Sequence, residues 1–388
     1  MLSKRIGLIS PSVTLEIDRK AKEMIAAGED VSNFTVGEPD FEVQQHIRDA
    51  AIQAIRDNFS QYTATGGIAE LKDAISEKLR EENSVAAAAE NIIVTNGGKE
   101  ALFLFFQAVL DEGDEVIVPT PYWVSYAEQI RYAGAVPVML KSDSHFHFTA
   151  DDVEALVSDK TKVLILNSPS NPAGAVLDPE VIKEIAALAA ERDFLVVSDE
   201  VYEHFVYDER VQVSIASLDG MPERTVVING FSKTYAMPGW RVGYAAGPEE
   251  IIKAMTKLKG HLSSNACSIA QKAAVAALTG PQDIIEEMRD EFSNRRAVVV
   301  DGFNSITGCE LPSPEGAFYA FVNYGKVMEA KGIKDSIELC NRLLDEQKVA
   351  LVPGQAFGDE YATYARMSFA TSTNTIEEGI RRISNFAA

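Results

Sequence analysis

The chain has 388 residues, 46% hydrophobic and 24% charged, with 36 Lys+Arg against 58 Asp+Glu and a net charge of −22. This length exceeds the roughly 250–300 residues at which single cores stop growing, so two domains and a deep site are expected. The acidity argues against a nucleic-acid surface, though not against a local basic pocket.

The N-terminus, "MLSKRIGLISPSVTLEID", lacks the continuous apolar core of a signal peptide, and no run of about 18 apolar residues offers a membrane span. "AELKDAISEKLREEN" reads as a helix approaching the first strand. Short apolar runs then alternate with amphipathic stretches: the strands "NIIVT", "DEVIVP", "AVPVML", "KVLILN", "FLVVS", "TVVIN" and "RVGYAA", with helices such as "KEALFLFFQAVL" and "PEVIKEIAALAAERD" between them. Proline early in the second of these helices suits a helix start. That rhythm predicts an α/β fold with a mostly parallel sheet wrapped by helices. "SHFHFT" reads as a surface strand on which His145 and His147 could face one way, and the histidines form no metal motif. Cys267, Cys309 and Cys340 are far apart and suggest neither a disulfide framework nor a zinc site, so a reducing cytoplasm is expected. After "GPQD" a long charged helix, "GAFYAFVNY", a helix, "VALVPG", "ARMSFA" and a last helix predict a smaller α+β domain. The expected division is residues 1–44 as a segment joining the small domain, 45–280 as the large domain and 281–388 as the small one.

In open α/β sheets ligands bind beyond the carboxyl ends of the strands. After "IIVT" come Asn96, Gly97, Gly98 and Lys99; after "VIVP", Trp123; after "VLILN", Asn171; after "LVVS", Asp199 and then Tyr202; after "VVIN", "GFSK" with Ser232 and Lys233. Singly, each has a plain reading. Gly97-Gly98 could be a turn, Trp123 core, Asp199 a helix cap at Glu200, and Arg241 a surface ion pair. Two glycines opening a helix also expose N–H groups to an anion. Lys233, flanked by apolar residues, is costly as an ammonium unless paired or neutralised, and Arg241 nearby lowers its pKa further. An amine for a Schiff base, an anion seat, a flat ring partner and a carboxylate for a pyridine nitrogen together match one cofactor, pyridoxal 5'-phosphate.

The stretch "GFSKTYAMPGWRVG" resembles the lysine signature of the class I aminotransferases of fold type I, and the likeness extends through "GEPDF", "YTATGG", "TNGGKEALF", "PTPYWVSY", "NSPSNPAG", "SDEVYEHFVY" and "ARMSFAT". It is most similar to the bacterial aspartate aminotransferase branch, which also contains prephenate aminotransferases. The resemblance implies a seven-stranded sheet and the following roles. Lys233 would carry the Schiff base and shuttle a proton; Asp199 would keep the ring nitrogen protonated. Tyr202 and Asn171 would bond the ring's phenolic oxygen, and Trp123 would stack on the ring. Arg241 and the backbone at Gly97, Gly98 and Lys99 would hold the phosphate, with Ser232 as an added contact. Tyr62 would reach the phosphate of a second subunit, implying a homodimer with shared sites. Arg366, helped by the backbone at Gly37, would fork the substrate α-carboxylate.

The chain departs from the family's pattern at Gly230, where many relatives carry serine, and at Ala173, where threonine is usual. No second arginine for a distal carboxylate stands in "KGHLSSNACSIAQK". In the branch resembled, a threonine and a lysine read that group, here Thr14 and Lys99, whose plain readings are a helix cap and a solvated residue. Aspartate or glutamate with a 2-oxo acid is therefore the expected substrate pair, with prephenate transamination or a lyase of the same fold as alternatives. A regulator would carry a DNA-binding module, and the likeness starts almost at residue 1 with no basic helix-turn-helix before it. A dehydrogenase would need G-x-G-x-x-G after a strand, which is missing.

Overall fold

The computed structural model describes residues 2–9 and 13–388. Its centre is a seven-stranded sheet whose strands coincide with the seven apolar runs. In chain order after a short β1 (Ser32–Asn33), they are β2 (Ile92–Thr95), β3 (Glu115–Thr120), β4 (Val136–Lys141), β5 (Thr161–Asn167), β6 (Leu195–Asp199), β7 (Thr225–Gly230) and β8 (Gly243–Ala246). The spatial order is β2-β8-β7-β6-β5-β3-β4. Only β8 runs against its neighbours, pairing antiparallel with both β2 and β7. Continuous apolar runs such as Val163–Leu166 are buried at every position because helices cover both faces of the sheet.

The flanking helices start and stop where their sequences say. In helix Pro179–Arg192, Asp178 accepts the Glu180 N–H, proline takes the first turn, and Asp193 closes it with φ 52°. Helix Gly98–Val109 begins on Gly97 at φ 82°, a left-handed conformation that glycine takes at no steric cost.

The remaining strands are β9 (Tyr319–Asn323), β10 (Val349–Ala350), β11 (Val352–Pro353) and β12 (Tyr364–Ser368). β12 is the middle strand of an antiparallel β11-β12-β9 sheet, packed with helices Asp283–Asn304, Ser336–Gln347 and Thr373–Ala387. "VALVPG" therefore serves two sheets: β10 pairs in parallel with β1, tying residues 32–33 to the C-terminal part of the chain. Phe34 carries that tie into the core, against Gly379, where a Cβ would lie 2.3 Å from its ring.

Two sequence expectations need correction. "SHFHFT" is a turn rather than a strand: Asp143 Oδ1 accepts the N–H groups of His145 and His147, and His147 Nε2 pairs with Glu315 at 3.2 Å. The "RVGYAA" strand begins only at Gly243, because Arg241 takes a left-handed conformation with φ 53°. Among the described residues no helix is long and apolar enough to cross a membrane, and no group of three or more His, Cys, Asp or Glu could hold a metal ion.

Candidate active site

The carboxyl ends of the central strands open on one cavity of about 1110 Å³, whose other walls come from residues 35–38 and from Arg366 of β12. β7 ends at Gly230, and the single turn Phe231–Thr234 follows at once. Phe231 is buried in the core while Lys233 lines the cavity, half-buried, with its Nζ donating to the Gly37 carbonyl. Loss of water pushes this amine from 10.5 down to about 8; Glu38 opposes the shift, and Arg366 and Arg241 reinforce it.

Asp199 is the last residue of β6 and is 5% exposed. Its Oδ2 accepts the Tyr126 hydroxyl at 2.6 Å, whereas the buried Oδ1 has no partner. Burial raises this carboxyl to about 6, against the bonds from Tyr126 and the Val201 N–H and the charge of Lys233. There is no helix at Glu200 for Asp199 to cap. Beside it, the end of β5 folds back on itself: Asn167 donates to the Asp199 carbonyl at 3.0 Å and accepts the Asn171 N–H at 3.0 Å. Asn171 Oδ1 accepts Arg366 Nη1 at 3.0 Å, which turns its amide N–H₂ the other way.

Arg366, 7% exposed, donates through Nη2 to the Thr35 carbonyl at 2.7 Å, and its guanidinium lies 4.6 Å from the Tyr319 ring centre. Its Nε is buried without a partner. The Tyr202 and Tyr319 hydroxyls meet at 2.8 Å. Gly37 packs so tightly here that a Cβ would stand 2.4 Å from the Tyr319 hydroxyl.

At the other end of the cavity, Arg241 Nη2 donates to the Asn96 carbonyl at 3.2 Å and Nη1 to the Pro238 carbonyl at 2.8 Å. Trp123 meets Tyr126 edge to face at 5.4 Å, and Lys99 Nζ lies 4.9 Å from the Trp123 ring centre. Desolvation, with Arg241 nearby, holds the Lys99 ammonium below its ordinary value.

The fold agrees with the comparisons. Residues 29–383 match the family described as aminotransferase class I and II. The chain belongs to that family. An aspartate aminotransferase of Bacillus subtilis is 46% identical over 388 residues, covering 99% of this chain and 98% of the relative. A probable aspartate/prephenate aminotransferase of Aquifex aeolicus is 44% identical, covering 98% and 97% respectively. The solved structure of the Thermus thermophilus aspartate aminotransferase with maleate superposes with a TM-score of 0.95 at 39% identity, covering 100% of this chain and 99% of that one.

Class I and II aminotransferases use pyridoxal 5'-phosphate, and the residues present fit it. The bare Asp199 Oδ1 suits a protonated pyridine nitrogen, the depressed Lys233 amine suits an aldehyde, and Arg241 with the helix start at Gly98 suits a phosphate. Of the predicted site residues whose side chains are described, all but Gly97 and Tyr62 line the cavity. Gly97 backs directly onto Arg241, where a Cβ would be 2.6 Å from Nη2. Tyr62 is 89% exposed and lies away from the cavity lining. Thr14 falls in the first turn of helix Val13–Ala26, and its side chain lies outside the described residues. Sequence reading missed Tyr126, Asn167, Tyr319, Phe357 and Glu38. Of these, Glu38 in "GEPDF", Tyr126 in "PTPYWVSY", Asn167 in "NSPSNPAG" and Tyr319 in "GAFYAFVNY" lay inside stretches already singled out, and Phe357 did not.

Proposed function

We propose that this aminotransferase moves the amino group of aspartate, or glutamate, to a 2-oxo acid such as 2-oxoglutarate. The observation that carries the reading is the meeting of three groups in one cavity: an amine depressed to about 8, a buried carboxylate oxygen without a partner, and a buried guanidinium held only by neutral oxygens. When bound, pyridoxal 5'-phosphate supplies an aldehyde that condenses with amines and a protonated ring that takes up the electron pair left at the substrate Cα.

The chain's own residues do the rest. Lys233 Nζ takes the Cα proton and returns it, a role its lowered basicity suits near neutral pH. Asp199 Oδ1 keeps the ring nitrogen's proton in place, and Tyr126 orients that carboxylate from behind. Asn171, its oxygen turned to Arg366, directs its N–H₂ to the ring's phenolic oxygen together with Tyr202. Trp123 covers a ring face. Gly97, Gly98, Lys99 and Ser232 surround the phosphate with Arg241. Arg366 forks the α-carboxylate beside Gly37, and Lys99 with Thr14 reads the distal carboxylate.

Residues 1–44 and 281–388 would act as one small domain closing on 45–280, since substrate must bridge Arg366 and Lys233. The exposure of Tyr62 supports its turning toward a second copy in a homodimer with shared sites. Cys267, exposed and free, suits a reducing cytoplasm.

The relatives' names favour this reading, with prephenate transamination as the alternative: the Aquifex protein's name joins aspartate to prephenate. Addition of aspartate without a keto acid should convert the cofactor to its amine form stoichiometrically; release of pyruvate or ammonia instead would establish a lyase. Lys99→Ala should lower kcat/KM for aspartate and glutamate by about tenfold to a hundredfold, the value of one charged hydrogen bond, and spare alanine and phenylalanine. Equal loss for all amino donors would remove Lys99 from the specificity reading.

A further inference from the structure

A carboxylate, Glu100, sits in the first turn of the helix whose start forms the phosphate seat. Left uncovered, an acid so close to a bound dianion would repel it. The fold covers it. Lys259, wholly buried on helix Glu249–Leu262, donates to Glu100 Oε2 at 2.7 Å, and the Ser263 hydroxyl donates to Oε1 at 2.5 Å.

The same carboxylate reaches back to the strand end. Its Oε2 accepts the Asn96 N–H at 2.6 Å and its Oε1 the Asn96 side-chain amide at 3.0 Å. The Asn96 carbonyl, on the far side of that residue, accepts Arg241 Nη2 at 3.2 Å. Asn96 is thus gripped at its N–H by Glu100 and at its carbonyl by Arg241. The hydrogen bonds at Glu100 outweigh the burial that would otherwise raise its pKa, so it stays ionised and needs the lysine.

We propose that Glu100 and Lys259 form a positioning pair for the cofactor's phosphate: Glu100 fixes the Asn96–Gly98 turn and, through the Asn96 carbonyl, the Arg241 guanidinium, while Lys259 cancels the charge that Glu100 would present to the ligand. The proposal rests on the phosphate-seat reading above. Neither residue touches the reacting atoms.

The test compares binding of pyridoxal 5'-phosphate with that of pyridoxal to the full-length apo-protein, read by absorbance. Both ligands condense with Lys233, so the ratio of their affinities isolates the phosphate contacts; a loss of general stability would move both together. Lys259→Met is expected to lower the ratio by about tenfold or more, as one uncovered charge near the ligand implies. Glu100→Gln/Lys259→Met, which removes the charge and keeps an acceptor for Asn96, is expected to recover to within about threefold of the unmodified protein. Glu100→Ala/Lys259→Met, which also removes the anchor, is expected to fall again by about tenfold.

An unchanged ratio in Lys259→Met, or no recovery in the glutamine double variant, overturns the charge-covering role. If Lys259→Met does not fold, the two double variants decide the anchoring role, and equal ratios in them overturn it. Arg241→Ala separates the two levels. If it lowers the ratio while the pair variants do not, only this proposal falls; if it leaves the ratio unchanged, the phosphate-seat reading itself fails.

Discussion

Lys78 and Lys259 are buried cations with carboxylate partners, whereas the half-buried Lys233 and the buried Arg366 bond no carboxylate. Lys78 pairs with the buried Glu203, and Lys259 pairs with Glu100 at 2.7 Å. Lys233 donates to the Gly37 carbonyl, and Arg366 to the Asn171 amide oxygen and the Thr35 carbonyl. Withdrawing a cation from water costs several kcal/mol unless an anion compensates. Where the fold supplies the anion itself, the cation is structural. Where it supplies only neutral oxygens, the proposed function assigns the anion or the condensing carbonyl to a ligand.

The sharpest way to break this contrast is Lys233→Ala. Transamination should fall below detection while the cofactor stays bound noncovalently, measured by steady-state assay and by dialysis with absorbance; normal turnover would defeat the assignment. Arg366→Gln should lower kcat/KM for every amino donor by about 10²–10⁴-fold, since two charged hydrogen bonds to the α-carboxylate are lost. A loss confined to dicarboxylic donors would mean that Arg366 reads the distal group instead.

On the structural side, Lys78→Met should destabilise the protein by about 3–5 kcal/mol, because Glu203 would remain buried without its partner. Urea unfolding measures this, and kcat/KM of the folded enzyme should barely change. Removing both partners as Lys78→Met/Glu203→Leu should restore part of the loss.

The smallest effect is on pH. Lys233 titrates near 8 rather than 10.5, so the rate of cofactor condensation in the apo-protein should rise with pH and level off above about 8. Between about 8 and 10.5 the unfolded chain binds more protons at this lysine than the folded one. Its contribution to stability therefore rises with pH across that window.

The sequence carried the strands and the strand-end clusters because both are local: an apolar run of strand length, then a small or polar residue where the chain must turn. It did not carry β8's antiparallel placement between β2 and β7, which depends on pairing between segments far apart in the chain. Tyr126 escaped notice as the partner of Asp199 because the two are 73 residues apart and a tyrosine in an amphipathic helix looks like core. Residues 35–38 close the cavity because β1 pairs with β10, a contact spanning most of the chain. Arg241 read as the start of a strand because no neighbouring residue signals a left-handed backbone there. At "VALVPG", one apolar run concealed two strands separated by a single leucine.

The close approach of Gly97, Gly230 and Gly243 has a consequence for how this protein can be redesigned. A Cβ at Gly243 would lie 2.8 Å from the backbone of Gly97 and Gly98, and one at Gly230 would lie 3.0 Å from Gly243 Cα. Main chain meets main chain, so this part of the scaffold cannot be retuned by exchanging side chains. Libraries that seek new amino-acid preferences belong where side chains line the cavity, at Asp18, Lys22, Glu38 and residues 122–132.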